Sequence, residues 1–426
     1  MQKLTDSTVL ILSNVWPEPS SSAAGSHMMQ LIRLLHQSGY FITYGSTASV
    51  SPHTSPELHQ LAETCTVKMN DSSFDEFLKD LKPDIVIFDR FMVEEQFSWR
   101  VYEHAPDALR ILNTEDLHGL RRFREKQIRE NVFHLQTTPK ELFHSDDGRR
   151  ELASIYRSDL TLIISQTELN MLVDVAGVRA ALLHYYPLTY GCNNQGEQFE
   201  MPQFEDRRHF MSIGNFHHPP NKDAVLFLRD EIWPLIREKL PESELHIFGA
   251  YATEAHKKWS QPGKGFLVKG RAPEVSEVMK SYRVLLAPLR FGAGLKGKLL
   301  DAMSFGLPSV TTDIGLEGIT DPHLWEGWSN NSPESIARKS ITLYSDSMAW
   351  RKNRSQGFEV LKNRFNASMF DRPLAERISL IKKNLYEHRM ANITGGMLWH
   401  QNLMSTRYMS RWIEEKEKAS KSGIHA

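Results

Sequence analysis

Short apolar runs and amphipathic stretches take turns along most of this chain. Residues 8–12 form a compact apolar run that predicts a strand. Met28, Leu31, Ile32, Leu34 and Leu35 then recur at helical spacing, and Ser38 with Gly39 ends a predicted helix over 27–37. A second strand is predicted at 40–44, an amphipathic helix at 74–81, and buried strands at 85–88 and 108–112. A strand at 158–165 and a helix at 167–175 follow. Residues 189–207 lose all periodicity and collect Gly191, Asn193, Asn194, Gly196 and Pro202, which predicts a linker. The pattern then restarts, with strands at 209–213, 245–248 and 266–268 and helices at 224–237 and 275–280. Strands separated by helices belong to parallel sheets covered on both faces. Two such runs predict two α/β domains, over 1–188 and 208–394, with a cleft between them. In the tail, Leu398, Met404, Tyr408, Met409, Trp412 and Ile413 sit at helical spacings and predict a core-packing helix.

One stretch carries more than packing. A strand predicted at 284–289 runs into Gly292, Gly294 and Gly297, then a helix over 298–305 that Gly306 and Pro308 end. A last strand begins at Pro308. This is the outline of a phosphate cradle. Glycines admit a ligand close to the backbone, helix N-terminal N–H groups face an anion, and Lys296 and Lys298 add charge. Gly292 through Lys298 also matches most of a Walker A loop, but Leu299 stands where a hydroxyl should hold magnesium. An NTPase is therefore the weaker reading.

A second constellation follows the strand at 108–112, where Glu115, Asp116 and His118 precede Arg121 and Arg122. Acids and a histidine at a strand's carboxyl end are placed for proton handling or for a sugar hydroxyl. The plain alternative is that Asp116 caps the next helix and His118 is a residue of its first turn. Gly25 is likewise open between a helix-entry glycine and a ligand contact. The dense basic run from Arg121 to Arg129 reads as a solvated helix face, with acceptor-phosphate or peripheral membrane contact as the other reading. His217 and His218 lack a further ligand at metal-binding spacing, so no metal is expected there.

Composition narrows the class. The 426 residues are 40% hydrophobic and 24% charged, with 51 Lys and Arg against 52 Asp and Glu. That balance gives no general pull toward nucleic acid. Two cysteines, Cys65 and Cys192, point to a reducing, cytoplasmic setting. No apolar run approaches the ~18 residues of a membrane span.

The stretch APLRFGAGLKGKLLDAMSFGLPSVTT resembles the donor-binding segment of GT-B fold glycosyltransferases of the family 4, or group 1, type. The resemblance implies two Rossmann-like, doubly wound domains facing a central cleft. It also implies a C-terminal helix, within 395–426, that crosses back to the first domain. It implies transfer of a sugar from a nucleotide-sugar donor to an acceptor that the sequence does not identify, whether saccharide, lipid-linked or protein. Retention of configuration and independence from metal or other cofactor are expected with it. Donor contacts would come from Gly25, Gly214, Asn215, Gly249, Arg271, Arg290, Gly292, Gly294, Leu295, Lys296, Gly297, Lys298 and Asp301, and catalysis from His118 with Asp116. Two departures stand out. The family's paired glutamates, eight positions apart, are Ala293 and Asp301 here, and Gly214-Asn-Phe-His-His lacks the usual arginine. A sugar-nucleotide-binding protein without turnover is the alternative on the same fold.

Overall fold

The computed structural model describes residues 7–130, 139–191, 201–320 and 329–421. Two parallel sheets organise them. The first has seven strands: β1 (Thr8–Ser13), β2 (Phe41–Ser46), β3 (Glu63–Thr66), β4 (Ile85–Asp89), β5 (Leu109–Asn113), β6 (Leu160–Ile163) and β7 (Leu183–Tyr185). They lie in the order β3-β2-β1-β4-β5-β6-β7. The second has β8 (Arg208–Ile213), β9 (Leu245–Phe248), β10 (Phe266–Gly270), β11 (Tyr282–Ala287) and β12 (Ser309–Thr311), in the order β10-β9-β8-β11-β12. The order in which successive strands are added reverses beside β1 and again beside β8. Each reversal opens a crevice at the strands' carboxyl ends, where α/β sheets take ligands.

The strands sit where their side-chain period puts them. Along β1, Val9 and Ile11 enter one apolar core while Leu10 and Leu12 enter the core on the opposite face. Val284 and Leu286 of β11 face away from Leu285 and Ala287 in the same manner. Strands covered on both faces read as continuous apolar runs, which is why these runs predicted themselves.

The linker expected at 189–207 lies partly outside the described residues, at 192–200. The second domain was expected to extend to 394, but the chain returns to the first domain sooner. Helix Asp371–Lys383 sends Leu374, Ile378 and Ile381 into the core shared by Val9, Ile11 and Leu35. Arg389 then forks onto Asp159, at 2.9 Å and 2.8 Å. The last helix, Ile393–Lys421, also crosses back onto the first domain, where Trp399 Nε1 donates to the Arg157 carbonyl at 3.0 Å. Its expected core face is corrected. Met404, Tyr408, Met409 and Trp412 are exposed, and the seated side instead carries Trp399, Ser410 and Glu414. Small and polar groups fit that side because the contact is made by hydrogen bonds: Ser410 Oγ donates to Asn70 at 2.8 Å and Glu414 accepts from the Ser72 N–H at 3.2 Å. Among the described residues, no helix is long and apolar enough to cross a membrane.

Candidate active site

The two sheets face each other across a cleft of about 1260 Å³. On the first-domain side the loop after β1 reaches Ser22, which caps helix Ala23–Gln37 by accepting the Gly25 N–H at 3.1 Å. On the opposite side the loop after β11 ends at helix Gly297–Ser304, whose first turn points into the cleft. The two helix N-termini meet. A Cβ at Gly297 would stand 2.4 Å from that of Ala23.

Backbone strain gathers here. Arg90 after β4 (φ 75°), Glu115 after β5 (φ 60°) and Tyr251 after β9 (φ 62°) all occupy the left-handed side of φ, and all three line the cleft. Each such residue costs roughly 1–3 kcal/mol and persists only where its surroundings fix it. Glu115 is fixed by Asn113 Nδ2 at 2.8 Å and by the His27 ring at 3.2 Å. Burial works against a charged His27, but Glu115 outweighs it and the imidazole is held above its usual range.

His118 begins helix His118–Arg129, and its ring lines the cleft. The cap of this helix is not Asp116. Glu151, from helix Asp146–Arg157, accepts the N–H groups of His118 at 2.6 Å and Gly119 at 2.8 Å. Asp116 is thereby left for side chains: His118 Nε2 lies 3.2 Å from one carboxylate oxygen, and Arg121 pairs with the other. Burial opposes the Asp116 charge, yet Arg121 and His118 hold the carboxyl well below its usual range. His118 is pushed down to about 4 by burial, so its imidazole is neutral near pH 7. Nε2 is the ring nitrogen beside Asp116, and Nδ1 lies on the other side of the ring. That atom is buried and has no hydrogen-bond partner among the described residues.

The opposite wall is built from short relays. Lys298 Nζ donates to Asn221 Oδ1 at 2.7 Å, and Asn221 Nδ2 donates to the Asn215 carbonyl at 2.9 Å. Gly214 leaves the space that Asn221 fills, since a Cβ there would lie 2.6 Å from Asn221 Cγ. At Gly249 a Cβ would come within 2.2 Å of the Gly214 carbonyl, so the loops after β8 and β9 close only on a glycine. Burial alone pushes Lys298 down to about 7. Among the described residues no carboxylate offsets it, so an anion bound at this turn would restore its charge. Lys296 is also lowered, chiefly by burial, and donates to the Gly294 carbonyl at 2.9 Å. Asp301, one turn along, is raised to about 6 by burial and accepts from the Tyr190 hydroxyl at 2.6 Å.

The cleft brings together Asp116, His118, Gly214, Asn215, Gly249, Arg271, Gly292, Leu295, Lys296, Gly297, Lys298 and Asp301. Arg271 spans it, donating to Ser21 Oγ at 2.7 Å. Three of the expected donor contacts stand apart from its wall. Gly25 packs against the Glu18 backbone, where a Cβ would meet atoms at 2.5 Å. Arg290 turns outward and forks onto Asp223 at 2.9 Å and 2.5 Å. Gly294 (φ 62°) presses on the first domain, where a Cβ would lie 2.9 Å from Asp116 Cβ. The basic helix is not a uniform solvated face either: Arg121 and Arg124 turn inward, while Arg129 pairs with Glu125. Leu299, the residue that breaks the Walker pattern, is fully buried. His217 packs on the Tyr251 ring at 4.4 Å. No group of three or more His, Cys, Asp or Glu side chains among the described residues is placed to hold a metal. Sequence reasoning passed over Glu151, Glu168 and Tyr190, because each acts through a residue far away in the chain, and Arg90, whose positive φ leaves no mark in the sequence.

Residues 207–346 match the family model described as "Glycosyl transferases group 1". A comparison with curated proteins finds no match. Among solved structures, a glycosyltransferase from Rickettsia africae aligns over 91% of this chain and 100% of its own, at 11% identity and TM-score 0.61. Anabaena HepE, in a structure with UDP-glucose, aligns over 88% and 100%, at 12% identity and TM-score 0.63. The sucrose-phosphate synthase of Thermosynechococcus elongatus aligns over 88% and 99%, at 11% identity and TM-score 0.62. At these identities the likeness is one of fold, and the fold is GT-B. Taken with the match of residues 207–346 to the group 1 model, it defines an enzyme of the glycosyltransferase class.

Proposed function

We propose that this protein, of the family 4 type, moves a sugar from a nucleotide-sugar donor to an acceptor in the cytoplasm, with retention and without a bound metal. The observation that carries the reading is Lys298, which lines the cleft in the first turn of helix Gly297–Ser304, bonds Asn221 and pairs with no carboxylate among the described residues. A diphosphate at that turn would meet the Lys298 ammonium and the N–H groups of Gly297–Ser304, which together replace the charge compensation a divalent ion would give. Asp301 keeps one carboxylate oxygen for ribose hydroxyls, the other being held by Tyr190. His118 lines the same space from the first domain, and its imidazole would hydrogen-bond a hydroxyl of the donor sugar or the acceptor. Structures of Anabaena HepE, which shares the fold, are complexes with UDP and with UDP-glucose, which supports this choice of donor class.

The test is a ligand screen followed by turnover. UDP, GDP, ADP and dTDP are added to the full chain with EDTA present, and thermal stability is read. A ligand at a hundred times its Kd adds about 2.7 kcal/mol to stability. One diphosphate should raise Tm, and its sugar conjugate should be consumed once an acceptor is supplied. If no diphosphate stabilises the chain, or if a parallel assay with magnesium in place of EDTA shows only magnesium-dependent phosphate release, the donor reading fails.

A further inference from the structure

Two first-domain side chains reach past the cleft and grip the glycine loop from behind. Glu168 is 1% exposed, and its Oε1 accepts the Gly294 N–H at 2.5 Å. Arg124 donates through Nη1 to the Gly292 carbonyl at 2.8 Å. The same guanidinium forks onto Glu317 at 2.7 Å and 2.8 Å. The two held groups, Gly292 O and Gly294 N, flank Ala293, the position where the family this stretch resembles carries a glutamate. Neither Glu168 nor Arg124 lines the cleft.

A loop of this composition does not hold its own shape. Gly292 (φ 156°) and Gly294 (φ 62°) have many conformations available, and only outside contacts select one. Both contacts come from ionised or ionisable groups, which make the stronger hydrogen bonds. The loop then leads directly into Lys296, Gly297 and Lys298 at the helix N-terminus.

We infer that Glu168 and Arg124 are positioning residues that set the phosphate-holding shape of the glycine loop, so that diphosphate affinity depends on first-domain groups that do not touch the donor. The inference rests on reading this site as the donor-diphosphate site. It differs from ordinary domain cohesion in one respect. Cohesion would affect every ligand of the cleft alike, whereas a loop-shaping role acts on phosphate alone.

The experiment compares two ligands on the full chain. The diphosphate is whichever of UDP, GDP, ADP and dTDP binds the unaltered protein best, and the control is its parent nucleoside. Affinities are measured by calorimetry for Glu168→Ala, Glu168→Gln and Arg124→Gln. Glu168→Ala and Arg124→Gln should each weaken the diphosphate by about tenfold or more, with the nucleoside changed less than about twofold. Glu168→Gln retains an acceptor oxygen and should recover to within about threefold of the parent. Equal losses for both ligands, or no loss in folded variants, overturn the inference while the donor reading stands. If Glu168→Ala does not fold, Arg124→Gln and Glu168→Gln decide by the same comparison. An unaltered chain that binds none of the four diphosphates overturns both.

Discussion

At the scale of single residues, Lys298 gives a sign that can be checked. A lysine in the unfolded chain titrates near 10.4, whereas in the fold burial holds Lys298 near 7. Its folded pKa is depressed, so the charged form costs stability. That cost is absent above about pH 10, grows as pH falls, and is complete below about pH 7. Lys298→Met should therefore raise Tm at pH 6, with little change at pH 10. The same variant should lose about 1.5–3 kcal/mol of diphosphate binding, the range for a hydrogen bond to a charged group. In the parent, a diphosphate restores the ammonium, so binding at pH 8 takes up a proton, which calorimetry in buffers of different ionisation enthalpy reads out. His118 behaves differently because it sits on the other domain. His118→Ala should reduce turnover by about 10²–10⁴, with nucleotide affinity changed less than about tenfold. Normal transfer by that variant would return His118 to a packing role. The pair Asp116 and His118 was legible in the sequence, since acids and a histidine at a strand end announce themselves. Glu151 was not, because a helix cap supplied from 33 residues away leaves no local mark. Arg90 was not either, since nothing in an arginine advertises a positive φ.

At the scale of elements, ten of the twelve strands were legible to within about two residues because both their faces are buried, while β3 and β7, only partly buried, were passed over. The helices were less so. The first begins at Ala23 rather than His27, since Ser22 supplies a cap that apolar spacing does not register. Phe91–His104 was missed altogether, because it buries Glu94, Ser98 and Arg100 among its aromatics and so hides its apolar stripe. Glu94 is matched by Arg157 at 2.8 Å, a partner that spacing cannot reveal. The meeting of two helix N-termini yields a prediction at this scale. Gly297→Ala forces a methyl group against Ala23, so the domains cannot approach as closely. Sugar transfer should fall at least tenfold while the isolated nucleoside still binds, and unchanged transfer would show that the approach is not needed. The last helix gives another. Trp399 stacks on Tyr102 at 4.7 Å and lies under the Arg110 guanidinium at 4.4 Å. Trp399→Ala should cost about 3–5 kcal/mol, as for other buried aromatics, read as a shift of the first-domain transition in urea.

At the scale of the whole molecule, the two-domain plan and the cleft were legible from alternation alone, but the place where the chain turns back was not. Alternation stops after β12, and the helices that follow belong to two different domains with similar composition. Asp371–Lys383 shows its allegiance only through contacts: Lys382 with Asp84 at 2.7 Å, and Asp371 with Tyr186 at 3.0 Å. This return has a consequence for how the protein is made. Domains generally fold as units during synthesis, the N-terminal one first. Here the first domain emerges from the ribosome lacking Leu374, Ile378 and Ile381, three members of its own core. The apolar flank they cover stays open while the entire second domain is translated. The half of the molecule that is born first is therefore the half that is finished last, and between those moments its exposed flank is a surface that a chaperone would recognise.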